Sequence, residues 1–238
     1  MKKCLLIFSG GLDSTTCLFW ALDNYDEVHT ITFDYHQRHV IEKKMALNTI
    51  KLAKNIKQKD IDYFEFNIDL SRIGASALTD FSIDVPKNRN IDNQIPITYV
   101  PFRNGIFLAI SVAYAEKLDI SDIIGGWNVL DYSGYPDCRP DFLESFRQAA
   151  TLGTKIGQTK PFNIIAPLIG LKKSEIIKLG KKHNADYSYA YSCYEGNEIP
   201  CGQCDSCILR AKGFEEAGFV DDYMVRLATS SKETKLHP

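Results

Sequence analysis

The chain has 238 residues, 45% of them hydrophobic and 24% charged, enough to bury one sizeable core with a small appendage. Its 28 Lys and Arg against 30 Asp and Glu exclude a broad electrostatic grip on DNA or RNA, and no apolar run is long enough to span a bilayer. Seven cysteines, an odd number behind an opening "MKKCLLIFSGG" without a signal-peptide cleavage site, fit a reducing, cytoplasmic setting where crowded thiols bind metal.

Lys3 to Phe8 is predicted as a buried strand and Thr15 to Leu22 as the helix beyond a glycine turn. Glu27 to Phe33 alternates as a strand, Val40 to Asn55 spaces its apolar residues as a helix, and Tyr63 to Ile68 returns to strand. That alternation implies an α/β fold on a parallel sheet with right-handed crossovers. From Ser71 to Pro96 the periodicity fades into a surface loop or lid rich in Asn, Asp and Pro. Arg103 to Leu118 follows as a strongly apolar helix, then "DIIGGW" as a strand with a second glycine pair, then helices over Asp141 to Leu152 and Lys173 to Asn184. A cysteine-rich segment, a short helix over Ile208 to Glu216 and a polar tail complete the chain.

In "FSGGLDSTTCL", Gly10 and Gly11 let backbone N–H groups approach a polyanion at the positive end of the next helix. The Walker pattern and the dinucleotide fingerprint are both absent. Ser9, Ser14 and Thr15 can donate hydroxyl hydrogen bonds. Asp13 would repel phosphate unless a cation stood between them, which implies Mg²⁺ in the bound complex. The competing reading is a plain strand-to-helix turn with Asp13 or Ser14 as its N-cap. S-G-G-x-D-S at a first strand end resembles the pyrophosphate loop of the PP-loop ATP pyrophosphatases. The resemblance implies their Rossmann-like fold, of the adenine nucleotide alpha hydrolase type, and cleavage of ATP to AMP and pyrophosphate. It also implies that ATP is held by Phe8, Ser9, Gly10, Gly11, Leu12, Asp13, Ser14, Thr15, Thr16, Cys17 and Leu18.

Cys193, Cys201, Cys204 and Cys207 form C-x7-C-x2-C-x2-C, a spacing that lets a tight loop present thiolates to tetrahedral zinc. An iron–sulfur cluster and redox-active thiols are the rivals. A zinc site closed by four protein ligands would be structural. The expected division is a nucleotide-binding α/β domain over 1–185 and a zinc-binding extension over 186–238. Cys4 and Cys17 read as small core residues.

"TFDYHQRH", "DYSGYPDCRPDF" and "SCYEGNEIPCGQCDSCILRAKGF", together with the glycine loop, resemble the 7-cyano-7-deazaguanine synthase family of queuosine biosynthesis. The resemblance runs over nearly the whole chain. It implies a ligase that adenylates 7-carboxy-7-deazaguanine, converts it with ammonia to an amide, and removes the amide oxygen in a second activation. It also implies Cys193, Cys201, Cys204 and Cys207 as zinc ligands, and members often form homodimers. The chain departs from the family pattern at His36, Phe102, Trp127 and Ala190. A relative joining the same carboxylate to another amine or a protein acceptor is therefore the second reading, and a zinc-stabilised nucleotide-binding module without turnover the third.

Asp13, Ser14 and Arg103 are the expected catalytic residues, with Arg103 stabilising charge on the phosphates or the acyl adenylate. Asp131, Tyr132, Tyr135, Asp137 and Arg139 are assigned to the base, which offers a ring face and donor groups. The alternative is a rigid turn set by Gly134 and Pro136. Cys138 is expected to pack, His36 and His39 to serve the surface or a helix start, and Lys172, Lys173 and Lys178 to decorate a solvated helix face.

Overall fold

A computed structural model describes residues 1–35, 40–80, 82–88, 95–130 and 135–233. Among them, five strands form one parallel sheet: β1 (Lys3–Ile7), β2 (Glu27–Asp34), β3 (Ile61–Asn67), β4 (Asp122–Ile124) and β5 (Asn163–Ile165), in the order β3-β2-β1-β4-β5. The register aligns Leu5 with His29 on one side and with Ile123 on the other. Helices α1 (Leu12–Asn24), α2 (Val40–Lys57), α5 (Lys173–Lys182) and α6 (Asp205–Ala217) pack on one face. On the other lie α3 (Arg103–Lys117) and α4 (Pro140–Gly153).

The period of two along β1 divides the core. Cys4, Leu6 and Phe8 meet Leu18, Ile176 and Phe214 on the first face, while Leu5 meets Leu108, Val112 and Phe162 on the second. β2 is buried along nearly its whole length, as a central parallel strand covered on both faces must be. Its threonines satisfy their hydroxyls on neighbouring backbone, Thr30 on the Asp62 carbonyl at 3.0 Å and Thr32 on the Phe8 carbonyl at 2.7 Å. The chain leaves β1 toward β2 on one side and returns to β4 on the other, so a crevice opens where β1 and β4 end.

The expected elements are present, with shifts at their ends. The strand in "DIIGGW" stops at Ile124, and β5, at three residues, is too short to carry a periodicity. The polar tail is corrected to helix α7 (Asp222–Glu233). It is fastened by Tyr223, which is buried and donates its hydroxyl to the Glu198 carbonyl at 2.9 Å. The loop after Ser71 also packs inward in part, since Ser76, Ala77, Leu78 and Val85 are buried. No described helix is long and apolar enough to cross a membrane.

Candidate active site

An open cleft of about 300 Å³ lies at the carboxyl ends of the strands. The β1–α1 loop forms its floor. Gly10 sits at φ +80°, a left-handed backbone that favours glycine. A Cβ there would come within 2.8 Å of the Ala46 Cβ on α2. Gly10→Ala should therefore destabilise the fold by about 2 kcal/mol or more. Urea unfolding with a lower midpoint and unchanged slope is the expected result, and an unchanged midpoint would show that α2 yields freely. Ser9 and Ser14 hydroxyls lie 3.1 Å apart, and Ser14 Oγ donates to the Gly11 carbonyl at 3.1 Å.

Phe8, Ser9, Gly11, Leu12, Asp13 and Ser14 line the cleft. Thr15, Thr16, Cys17 and Leu18 do not: they lie in α1, which is buried nearly all round here, with no exposure. Thr16 and the Tyr187 hydroxyl share a hydrogen bond of 2.8 Å. Burial pushes the Cys4 and Cys17 thiols well up, in keeping with core residues. At the end of β4, a Cβ on Gly126 would lie 3.3 Å from the Asp13 backbone, and the Trp127 ring covers Gly125. The second glycine pair thus lets the two strand ends close around the loop.

Asp13 is gripped by Lys173, whose Nζ donates to its two carboxylate oxygens at 2.8 and 2.9 Å. The solvated helix face expected for Lys172, Lys173 and Lys178 is corrected at Lys173; the other two are exposed. Lys173 is the first residue of α5, where side chains lean back beyond the helix end, here into the cleft. Gly213 on α6 makes room, because a Cβ there would lie 2.5 Å from the Lys173 Cγ. A cation in the first turn opposes the helix dipole, and that was the available sequence signal.

Across the cleft, Arg103 opens α3 after Phe102, which adopts a left-handed backbone at φ +54° at a cost of roughly 1 kcal/mol. Arg103 Nη1 donates to the Tyr35 hydroxyl at 3.1 Å, and its guanidinium lies 5.7 Å from the Tyr35 ring centroid. Phe107, Trp127 and Tyr135 line the same side. The sequence places Tyr35 in "TFDYHQRH" and Phe107 in an apolar helix without marking either as cleft-lining, because apolar periodicity does not distinguish a core from an aromatic cleft wall.

The base-assigned residues separate. Tyr135 lines the cleft, and Thr98 and Tyr135 hydroxyls lie 3.2 Å apart. Asp137 turns to α3, where its Oδ2 accepts the Asn104 backbone N–H at 2.9 Å; its Oδ1 is buried without a partner among the described residues. Arg139 is exposed at the start of α4, outside the cleft lining. Asp131 and Tyr132, like His36 and His39, lie outside the described residues. Cys138 lines the cleft and accepts from Asn104 Nδ2 at 3.3 Å; burial pushes its thiol up to about 12, so it remains protonated.

The four clustered cysteines bring their sulfurs within 4.8 Å of one another. Four thiolates around one zinc at about 2.3 Å would stand about 3.8 Å apart, so the set fits a single tetrahedral ion. Backbone N–H groups of Cys201 and Cys204 point at Cys193 and Cys201 sulfurs, each at 3.3 Å. Hydrogen bonds from Cys204 and Cys207 hold the Cys193 thiol well below its usual range. This cluster packs with Met45, Ala77, Val85, Tyr191 and Tyr223. It is tied to the glycine loop by the Tyr191 N–H, which donates to the Gly10 carbonyl at 3.0 Å. Arg210 fixes the approach to it, donating to the Ala190 carbonyl at 2.6 Å and to both oxygens of Asp221.

The fold resembles that of a 4-thiouridine synthetase solved in complex with RNA and bound ATP, at a TM-score of 0.53 and 16% identity, over 90% of this chain and 53% of that one. Sequence relatives are nearer. A 7-cyano-7-deazaguanine synthase of Acetivibrio thermocellus is 49% identical over 229 residues, covering 95% of this chain and 100% of the relative. That of Thermoplasma volcanium is 49% identical over 222 residues, covering 92% and 89%. Residues 3–218 match the family described as queuosine biosynthesis protein QueC, and the chain belongs to that family.

Proposed function

We propose that this chain converts 7-carboxy-7-deazaguanine, ammonia and ATP into 7-cyano-7-deazaguanine. The observation that carries the reading is the two-sided cleft: a glycine loop with Asp13, Ser14 and Lys173 on one side, an aromatic wall with Arg103 on the other. The substrate carboxylate attacks the α-phosphorus of ATP, releasing pyrophosphate beside the loop. Ammonia then displaces AMP to give an amide, whose oxygen, adenylated in turn, leaves with a second AMP to form the nitrile. Asp13 and Ser14 are the residues that would hold Mg²⁺, which neutralises polyphosphate charge. Asp13 already accepts a cation in this cleft, a fit to that role.

Zinc is the proposed ion of the cysteine cluster, as a structural element of 186–238 packed on the nucleotide-binding part at 1–185. In a four-iron cluster each thiolate binds a different iron, which sets sulfurs farther apart than one shared ion does. Cytoplasmic location, small-molecule partners and a homodimer belong to the same reading.

Mass spectrometry of products from ATP, ammonia and the 7-carboxy base tests the proposal. Nitrile, AMP and pyrophosphate are expected. Amide alone, conjugation to another amine, or ADP with phosphate as the sole nucleotide products would each overturn it.

A further inference from the structure

The cations lining the cleft other than Arg103 each meet a carboxylate. Lys173 is held by Asp13, Lys43 by Asp34 and Glu65, and Arg210 by Asp221. Arg103 differs. Its hydrogen-bond partner is the Tyr35 hydroxyl, and no carboxylate among the described residues pairs with it. Tyr35, Tyr135 and Cys138 beside it are neutral, because burial raises both hydroxyls and the thiol; of the carboxylates acting on those groups, Asp137 is turned to the Asn104 N–H, and Glu42 lines the same cleft without an ion pair to Arg103. A partly buried cation without a counter-charge is costly, and the cost is offset when an anion fills the space beside it.

Two features choose that anion. Arg103 comes from α3, in the layer opposite α1 and α5, so its charge comes from the other layer than Asp13 at the start of α1 and Lys173 at the start of α5. Its surroundings are rings: Tyr35 packs at 5.5 Å on Phe107, and Phe107 stacks on Phe33 at 4.1 Å. A guanidinium framed by aromatic faces suits an acid carried on a flat ring, which it can grip with two parallel N–H donors. A polyphosphate would bring three or more charges into an apolar wall that has one.

Resting on the function proposed above, we propose that Arg103 is the specificity-determining residue that receives the carboxylate of the heteroaromatic substrate. The nucleotide phosphates are then served by the other layer. The acid is thereby held at one end while the α-phosphorus is presented from the other.

Isothermal titration of the parent protein, Arg103→Gln and Arg103→Lys with three ligands tests this: the 7-carboxy base, the 7-cyano base, and ATP. The parent should prefer the acid to the nitrile. Arg103→Gln should weaken acid binding by about 10- to 100-fold, the worth of a charge-assisted hydrogen bond, leaving nitrile and ATP binding nearly unchanged. Arg103→Lys should keep the preference in part, which a merely structural role would not explain. Equal weakening of acid and nitrile, or a loss confined to ATP, would overturn the assignment. A parent protein that binds ATP yet neither base, and makes no nitrile, would instead overturn the reaction on which it rests.

Discussion

Lys173→Met should cut formation of AMP by on the order of 10²- to 10³-fold, the usual loss when one charge-stabilising donor is removed from a preorganised site. Stability should barely change. The Lys173–Asp13 pair stands at the wall of an open cleft, with side chains 12% and 28% exposed. Such pairs contribute about 1 kcal/mol or less after solvent screening. Asp13→Asn should fall by a similar factor if Asp13 holds the cation of the nucleotide as proposed. If the two residues act as a unit, the double variant will be no slower than the slower single one. Pyrophosphate exchange into ATP, measured at saturating base, reads the adenylation step directly. An exchange rate in Lys173→Met above half that of the parent would remove Lys173 from the chemistry and leave it as a prop for Asp13.

That pair also shows why part of the site was legible in the sequence and part was not. The β1–α1 loop announces itself because its glycines, hydroxyls and acid are contiguous between a strand and a helix. The cysteine cluster does so through spacing within a single segment. Lys173 meets Asp13 from 160 residues away. Only the strand order, with β4 and β5 returning to the far side of β1, brings the start of α5 over that loop. Helical periodicity describes which face of α5 is buried, and Ile176 and Ile177 obey it. It is silent about a side chain at the first position, which projects past the helix end. Arg103 has the same placement on α3, at the start of a strongly apolar helix. In each case a cation opens a helix against the dipole, and in each case it points into the cleft.

Other misses have different causes. Tyr35 and Phe107 look alike in a hydropathy pattern whether they fill a core or line a wall, and here they do both. Asp137 has a structural tie that motif reading does not show. Its sequence neighbours suggest a ligand contact, yet its Oδ2 caps α3 through the Asn104 N–H. That cap holds the first turn of α3 in place, so Asp137 acts on the cleft through the element that presents Arg103. The α7 helix escaped because its composition is polar, while its docking rests on few residues. Tyr223 is buried, and Arg226 lies over the Tyr189 and Tyr223 rings at 4.9 and 4.6 Å.

Cys204→Ser should lose the metal and several degrees of melting temperature together, and should weaken ATP binding as well. Cys204 has no exposure, and its sulfur lies within 4.8 Å of the other three. With three thiolates left, affinity for zinc falls steeply, and at a structural site binding free energy is also folding free energy. A destabilisation of about 3 kcal/mol or more is expected. The effect should reach the nucleotide because Tyr191 belongs to the cluster's apolar packing and also donates its N–H to the Gly10 carbonyl. Loosening the cluster should therefore loosen the glycine turn proposed to receive the phosphates. Metal content by plasma mass spectrometry, melting by differential scanning calorimetry and ATP affinity by titration are to be measured on the same preparation. The parent should hold about one zinc per chain and show no visible absorption of an iron–sulfur centre. A metal-free variant that melts at the parent temperature would contradict a structural role. One that melts lower yet binds ATP as the parent does would show that the Tyr191 link transmits nothing, confining the metal's work to the C-terminal segment.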